Sequence, residues 1–222
     1  MTSIAILGGT GHQGAGLAQR FAAAGARVIV GSRNPEQARG IVAGWNTPGQ
    51  SIDVAANTEA VARGEVVILA VPFATIDALL VEVGPHFNAG TVAIDVTVPV
   101  TFAGGRMAML EVSEGSASEH VRARLPENVG LAAAFKTLPA HVLGDPSKPL
   151  DCDEFVCADS EEARTRAIAL VELLEGLRAV DVGPLSRARS IEHMTALAIA
   201  INRRHKTHDA RFRVVGFAGP SA

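Results

Sequence analysis

A chain of 222 residues with 48% hydrophobic and 19% charged side chains is long and apolar enough to bury a substantial core, which argues against disorder. Its formal net charge of −3 comes with no clustered Lys/Arg stripe, so nucleic acid is not the expected partner. No apolar run reaches the length of a membrane span and no secretory signal is legible. The two cysteines, Cys152 and Cys157, are too few for a disulfide scaffold or a zinc site, so a cytoplasmic protein is expected.

The first element is Ile4-Ala5-Ile6-Leu7, an apolar strand that runs straight into Gly8-Gly9-Thr10-Gly11-His12-Gln13-Gly14. The G-x-G-x-x-G pattern of Gly9, Gly11 and Gly14, placed between a strand and a helix over 13–24, is the fingerprint of a dinucleotide-binding βαβ unit. Gly9 permits the turn, Gly11 admits a pyrophosphate close to the backbone, and Gly14 lets the helix pack on the strand. The N–H groups and dipole of the helix start face the phosphates. His12, at the mouth of the turn, reads as a phosphate-adjacent or exposed residue.

Gly25 caps this helix, and Arg27-Val28-Ile29-Val30-Gly31 forms the second strand. An NAD site places an acid at the end of that strand to hold the ribose 2′-OH. This chain has Ser32-Arg33 there and no acid before Glu36. A guanidinium takes a 2′-phosphate bidentately and a hydroxyl adds a further bond, so the expected nucleotide is NADP(H).

Beyond it, alternating strands and helices predict a doubly wound parallel sheet, a Rossmann-type α/β fold. A helix is expected over 35–45, a short strand at Ile52-Asp53-Val54, and a helix capped by Asn57 or Thr58 and ending near Arg63. The unbroken apolar run 66–71 reads as a central strand ended by Pro72. Ile76, Leu79, Leu80 and Val83 stand at helical spacing, and strands follow over 91–96 and 129–135. Between those strands, 104–115 reads as a long irregular stretch of the kind that lines ligands, and a helix starts at Ser116 or Ser118. A smaller C-terminal α/β extension adds a strand at 155–158, a helix over 159–175 with Glu162 in a capping box, a strand at 179–182 and a mostly apolar helix over 186–202. A final short strand fits 212–215. The expected division is a nucleotide-binding part, 1–135, and a smaller acceptor-binding part, 136–222, packed on it or continuous with it. The apolar circumference of the helix around Ile191, Met194, Leu197, Ile199 and Ile201 suggests a homodimer or packing across the sheet.

Five segments occur in order: the glycine turn, Gly31-Ser32-Arg33, Ala70-Val71-Pro72-Phe73, Thr137-Leu138-Pro139-Ala140 and Asp181-Val182-Gly183-Pro184-Leu185-Ser186. Together they resemble the NADPH:coenzyme F-420 oxidoreductases over nearly the whole chain. The last two segments are the more family-specific. The resemblance implies hydride transfer between NADP(H) and an 8-hydroxy-5-deazaflavin, coenzyme F-420. It further implies that Thr10, Gly11, His12 and Gln13 cradle the pyrophosphate beside Gly9, and that Ser32 and Arg33 hold the 2′-phosphate. Val71, Pro72, Phe73 and Ala140 are implied to border the nicotinamide, with Lys136 and Leu138 near the deazaflavin ring. Gln37 stands where family members often carry Lys, and Lys136 where they carry His or Asn.

Direct hydride transfer needs two rings in near contact and shielded from water, with the cofactors supplying the reactivity. No catalytic side chain is therefore expected, and the scattered histidines have no metal-ligand spacing. A short-chain dehydrogenase is excluded, because its Tyr-x-x-x-Lys pair needs a tyrosine and this chain has none. A β-hydroxyacid or imine dehydrogenase lacks room here for its usual long helical domain. A soluble NADPH:flavin or metal reductase of related fold and a non-catalytic NADP sensor stay open. Lys136 reads either as a solvated surface lysine or, near a strand C-terminus, as an acceptor-side cation.

Overall fold

The computed structural model describes residues 2–45, 52–104 and 106–216. Among these residues, eight strands form one sheet. β1 (Ser3–Leu7) is buried along its whole length and pairs in parallel with β2 (Arg27–Ser32) on one side and β4 (Val66–Leu69) on the other. α1 (His12–Ala23) and α2 (Pro35–Ala43) carry the chain from β1 through β2 to β3 (Ile52–Ala56) at the sheet edge. α3 (Asn57–Arg63) then returns it across β1 to β4. The direction of winding therefore reverses between β1 and β4, and at such a switch point a crevice opens beyond the strand C-termini.

α4 (Ile76–Val83) leads on to β5 (Val92–Asp95), and β8 (Gly130–Ala133) pairs beside it, both parallel to β4. These strands are continuously apolar because helices cover both faces. One cluster gathers Ile4, Ile6, Phe21 and Val30 under α1, and another gathers Leu7, Leu69, Leu79 and Leu80 on the opposite face.

The sheet departs from the all-parallel expectation at one pairing. β9 (Cys152–Ala158) runs antiparallel to β8, with Ala132 opposite Ala158. The segment after β8 holds only the single-turn α6 (Ala140–Leu143), packed on α1, and no crossover helix to carry the chain back to the far edge. It returns downward instead. α7 (Glu161–Leu173) then supplies a proper crossover, and β10 (Leu177–Asp181) is parallel to β9.

Three other expectations are revised. The stretch 104–115 is irregular only in part: β7 (Arg106–Met109) lies within it and pairs with β6 (Val100–Ala103) as an antiparallel hairpin, while 110–115 holds no helix or strand ahead of α5 (Ala117–Arg122). Gly104 takes φ +55 at its turn, and Gly105 lies outside the described residues. α7 is capped by Ser160, which accepts from the Ala163 N–H, so Glu162 falls one position short of a capping box and pairs with Arg166 at 3.0 Å. Residues 212–215 form no ladder strand but dock along β9, where the Asp153 N–H donates to the Phe212 carbonyl at 2.9 Å. The last helix, α8 (Ala188–His205), begins after a short turn at Leu185–Arg187 and ends at Lys206, φ +53. It buries Ile191 and Ala198 and leaves Leu197 and Ile201 exposed.

Candidate active site

The glycine turn is as tight as its composition suggests. The left-handed residue is Gly8, at φ +77, rather than Gly9, and a side chain there would strike the Ala70 carbonyl at 2.6 Å. At Gly14 a Cβ would stand 2.4 Å from the Gly8 carbonyl, so only glycine lets α1 sit this close to the end of β1. Gly11 is exposed at the N-cap and offers no side-chain cap. The N–H groups of the first turn therefore point outward into a groove lined by Thr10, Gly11 and His12, as an anion requires.

Ser32, Arg33 and Gln37 lie at the end of β2 and the start of α2, on the side of β1 away from β4. Arg33 is exposed and makes no hydrogen bond or ion pair among the described residues. Ser32 is half-buried, its hydroxyl turned to the Asn34 backbone at 3.1 Å. Asn34 caps α2 by accepting from the Gln37 N–H at 3.1 Å and leaves the Gln37 side chain exposed. An open guanidinium and a hydroxyl at this strand end form a donor set suited to a phosphate monoester.

Across the switch point, the ends of β4, β5 and β8 and the inner face of α8 enclose a cleft of about 430 Å³. Val71, Pro72 and Phe73 contribute one wall, Leu138 and Ala140 another, and Ile199 the face opposite. Ala140 also borders the glycine-turn groove, so groove and cleft are neighbours. Phe73 packs edge-on against His120, ring centroids 5.1 Å apart, and His120 is held between Asp77 (2.7 Å) and Glu114 (3.1 Å).

The wall from β8 is held in an uncommon backbone state. Phe135 adopts φ +58, is fully buried, and stacks edge-to-face on Phe21. Gln13 donates from Nε2 to the Phe135 carbonyl at 2.8 Å, so one residue of the glycine-turn motif serves the cleft wall. The turn at Phe135 directs the next side chain inward. Lys136 belongs to the cleft wall, yet its side chain is wholly buried and is not the solvated surface lysine that the sequence left open. Its Nζ donates to Asp95 Oδ2 at 2.7 Å and to the Thr97 carbonyl, and lies 3.3 Å from Glu192 Oε1. Burial works to lower the Lys136 pKa, but the Asp95 and Glu192 carboxylates outweigh it and hold the ammonium above its ordinary value.

Asp95 also accepts from the Ser118 hydroxyl (2.6 Å) and the Thr97 N–H (2.9 Å), and Glu192 from the Ala117 N–H (3.1 Å). One residue further on, Glu154 accepts from the Lys136 N–H (3.0 Å) and the Thr137 hydroxyl (2.7 Å), fixing the start of the Thr137-Leu138-Pro139-Ala140 segment. Burial pushes the Glu154 carboxyl up to about 7. Sequence reasoning missed Asp95, Glu154 and Glu192. The available signal was an acid inside an otherwise buried run, as in Val92-Ala93-Ile94-Asp95 and Cys152-Asp153-Glu154-Phe155.

Fold and site together define a Rossmann-type nucleotide-binding oxidoreductase. Residues 3–99 match the model of the family described as NADP oxidoreductase, coenzyme F420-dependent. The F420-dependent NADP reductase of Methanothermobacter thermautotrophicus is 38% identical over 220 residues, covering 95% of this chain and 94% of that protein. The F420-dependent NADP reductase of Methanocaldococcus jannaschii is 35% identical over 226 residues, covering 95% and 97%. An Arthrobacter sp. FB24 protein, described as an F420-dependent NADP reductase, superposes with a TM-score of 0.84 at 24% identity, covering 97% of this chain and 100% of that one. The chain belongs to the F420-dependent NADP reductase family.

Proposed function

We propose that this protein catalyses reversible hydride transfer between NADP(H) and coenzyme F-420. The single observation that carries the reading is the division of the crevice. A tight glycine turn at a helix N-terminus and an exposed Arg33 with no partner among the described residues lie on one side of β1, and an apolar cleft lies on the other. When bound, NADPH supplies the hydride and the deazaflavin accepts it with one proton from solvent.

The chain's own contribution is binding and placement. The first turn of α1 presents N–H groups to the pyrophosphate, and Ser32 and Arg33 take the 2′-phosphate, with Gln37 beside them. Val71, Pro72, Phe73 and Ala140 bound the nicotinamide, and Leu138 bounds the deazaflavin. Apolar walls exclude water from the path of the hydride, and the fixed backbone at Phe135 keeps the two rings in register. Lys136 acts beneath the cleft, through the backbone it holds. On this reading the portion after residue 135 supplies most of the acceptor side.

We further propose a cytoplasmic homodimer. Two buried, unpaired cysteines suit a reducing compartment, and exposed Leu197, Ile201 and Phe102 suit a covered face. No helix among the described residues is long and apolar enough to cross a membrane. Light scattering at micromolar concentration tests the dimer, and a monomer mass would contradict it.

Stopped-flow spectra test the activity: NADPH oxidation coupled one-to-one to deazaflavin reduction is expected, with FMN and FAD as poor acceptors. Preference for a flavin would reassign the acceptor. Binding of NADPH without transfer to any acceptor would make the protein a sensor.

A further inference from the structure

We infer that the Thr97 hydroxyl is the hydrogen-bond partner of the nicotinamide carboxamide, and that Asp95 and Lys136 are the positioning residues that hold it there. The inference rests on the reading of the crevice as an NADP site. Thr97 follows the C-terminus of β5 and lines the cleft, with 3% of its surface exposed. Its Oγ1 is buried and has no hydrogen-bond partner among the described residues. Buried hydroxyls are almost always paired, and an orphan beside a ligand cleft calls for a partner that the protein itself does not supply. The neighbouring hydroxyls of the wall are already engaged, Thr137 to Glu154 and Thr195 to the Lys136 carbonyl.

The backbone of Thr97 is clamped at both ends. Its N–H donates to Asp95 Oδ1 at 2.9 Å and its carbonyl accepts from Lys136 Nζ, which in turn holds Asp95 Oδ2. A buried ion pair thus fixes one residue of the cleft wall through its backbone and leaves that residue's hydroxyl without a partner among the described residues. Location selects the ligand group. A dinucleotide whose 2′-phosphate sits at the end of β2 crosses β1 and delivers its nicotinamide to the ends of β4 and β5. There the ring meets Val71, Phe73 and Val96, all apolar, so its carboxamide, with one carbonyl and one amide N–H₂, needs a polar contact. A hydroxyl that holds the carboxamide also fixes the rotation of the ring, and with it the face that points to the acceptor.

Thr97→Val removes the hydroxyl at nearly constant shape, and Thr97→Ser keeps it. Calorimetric titration with NADPH and with 2′-phospho-ADP-ribose, which lacks the nicotinamide, separates ring from phosphate binding. Thr97→Val is expected to weaken NADPH by about tenfold, the equivalent of one hydrogen bond, and to leave 2′-phospho-ADP-ribose unchanged. Thr97→Ser should restore most of the NADPH affinity. Without ligand, Thr97→Val should melt about 2–4 °C higher, because an unpaired buried polar group is gone. Unchanged NADPH affinity in Thr97→Val overturns the inference. So does an equal loss for both ligands, a lower ligand-free melting temperature, or an effect confined to the deazaflavin KM. A wild-type protein that binds no NADPH overturns the nucleotide reading itself, and this assignment with it.

Discussion

The side-chain amide of Gln13 and the backbone carbonyl of Phe135 are joined by a 2.8 Å hydrogen bond that spans the crevice from the first turn of α1 to the end of β8. One end of the bond belongs to the phosphate turn and the other to the strained residue that shapes the cleft wall. With NADP(H) bound as proposed, placement of the two rings would depend on placement of the pyrophosphate. Gln13→Ala should lower stability by about 1 kcal/mol, the net worth of a typical internal hydrogen bond. It should also weaken NADPH and acceptor together. Thermal melts and KM values for both substrates check this, and an effect on NADPH alone would confine Gln13 to the phosphate turn.

Arg33 is exposed and has no partner among the described residues, so removing it should cost the fold little and the nucleotide much. Arg33→Ala should weaken NADPH by roughly 10- to 100-fold, since a charge-assisted hydrogen bond contributes about 1.5–3 kcal/mol. NADH, which lacks the 2′-phosphate, should be almost unaffected. Titration of both nucleotides decides the matter, and an equal loss for both would assign Arg33 to the adenine or to the fold.

Lys136 is the central cation of a buried cluster, between Asp95 and Glu192. Lys136→Met keeps the stem and deletes the charge, leaving two buried carboxylates uncompensated. Loss of one member of a buried pair costs about 3–5 kcal/mol. Urea unfolding should show a loss of that size, whereas a solvated surface lysine would show almost none.

The buried carboxyl of Glu154 gives stability a distinctive pH dependence. Its folded-state value is about 7 against an ordinary 4.5, so between those limits the native state holds a proton that the unfolded chain releases. This contribution is full below about pH 4.5 and is lost as pH rises to about 7, a difference of a few kcal/mol at about 1.4 per unit. Denaturant unfolding of wild type and Glu154→Gln from pH 5 to 8 should show the variant gaining relative stability as pH rises. Parallel profiles would mean that Glu154 is ionised throughout.

The glycine turn and the strands beside it were legible in the sequence because backbone needs dictate their residues. Only glycine fits Gly14, and apolar runs mark strands covered on both faces; the left-handed turn residue was read as Gly9 and is Gly8, one position earlier in the same run. The cleft beyond β4 and β5 was legible only as a resemblance, since an apolar wall leaves no spacing to read. The network around Lys136 joins residues far apart in sequence, and no local pattern reports which way a lysine after a strand will point. The positive φ of Phe135 decides that, and nothing in Ala134-Phe135-Lys136 announces it. The reversed β9 was likewise hidden, because direction depends on whether the connection crosses the sheet rather than on the strand's own composition.

Direct passage of hydride between two rings held in one cleft is the central claim, and isotope tracing tests it most directly. NADPH carrying deuterium at the transferred position of C4 is incubated with the enzyme and deazaflavin in ordinary water, and the reduced deazaflavin is examined by mass spectrometry and NMR. The deuterium should appear at C5 of the deazaflavin, one atom for each NADPH oxidised. Reduced deazaflavin without the label, or NADPH that is bound but never oxidised, would contradict the account.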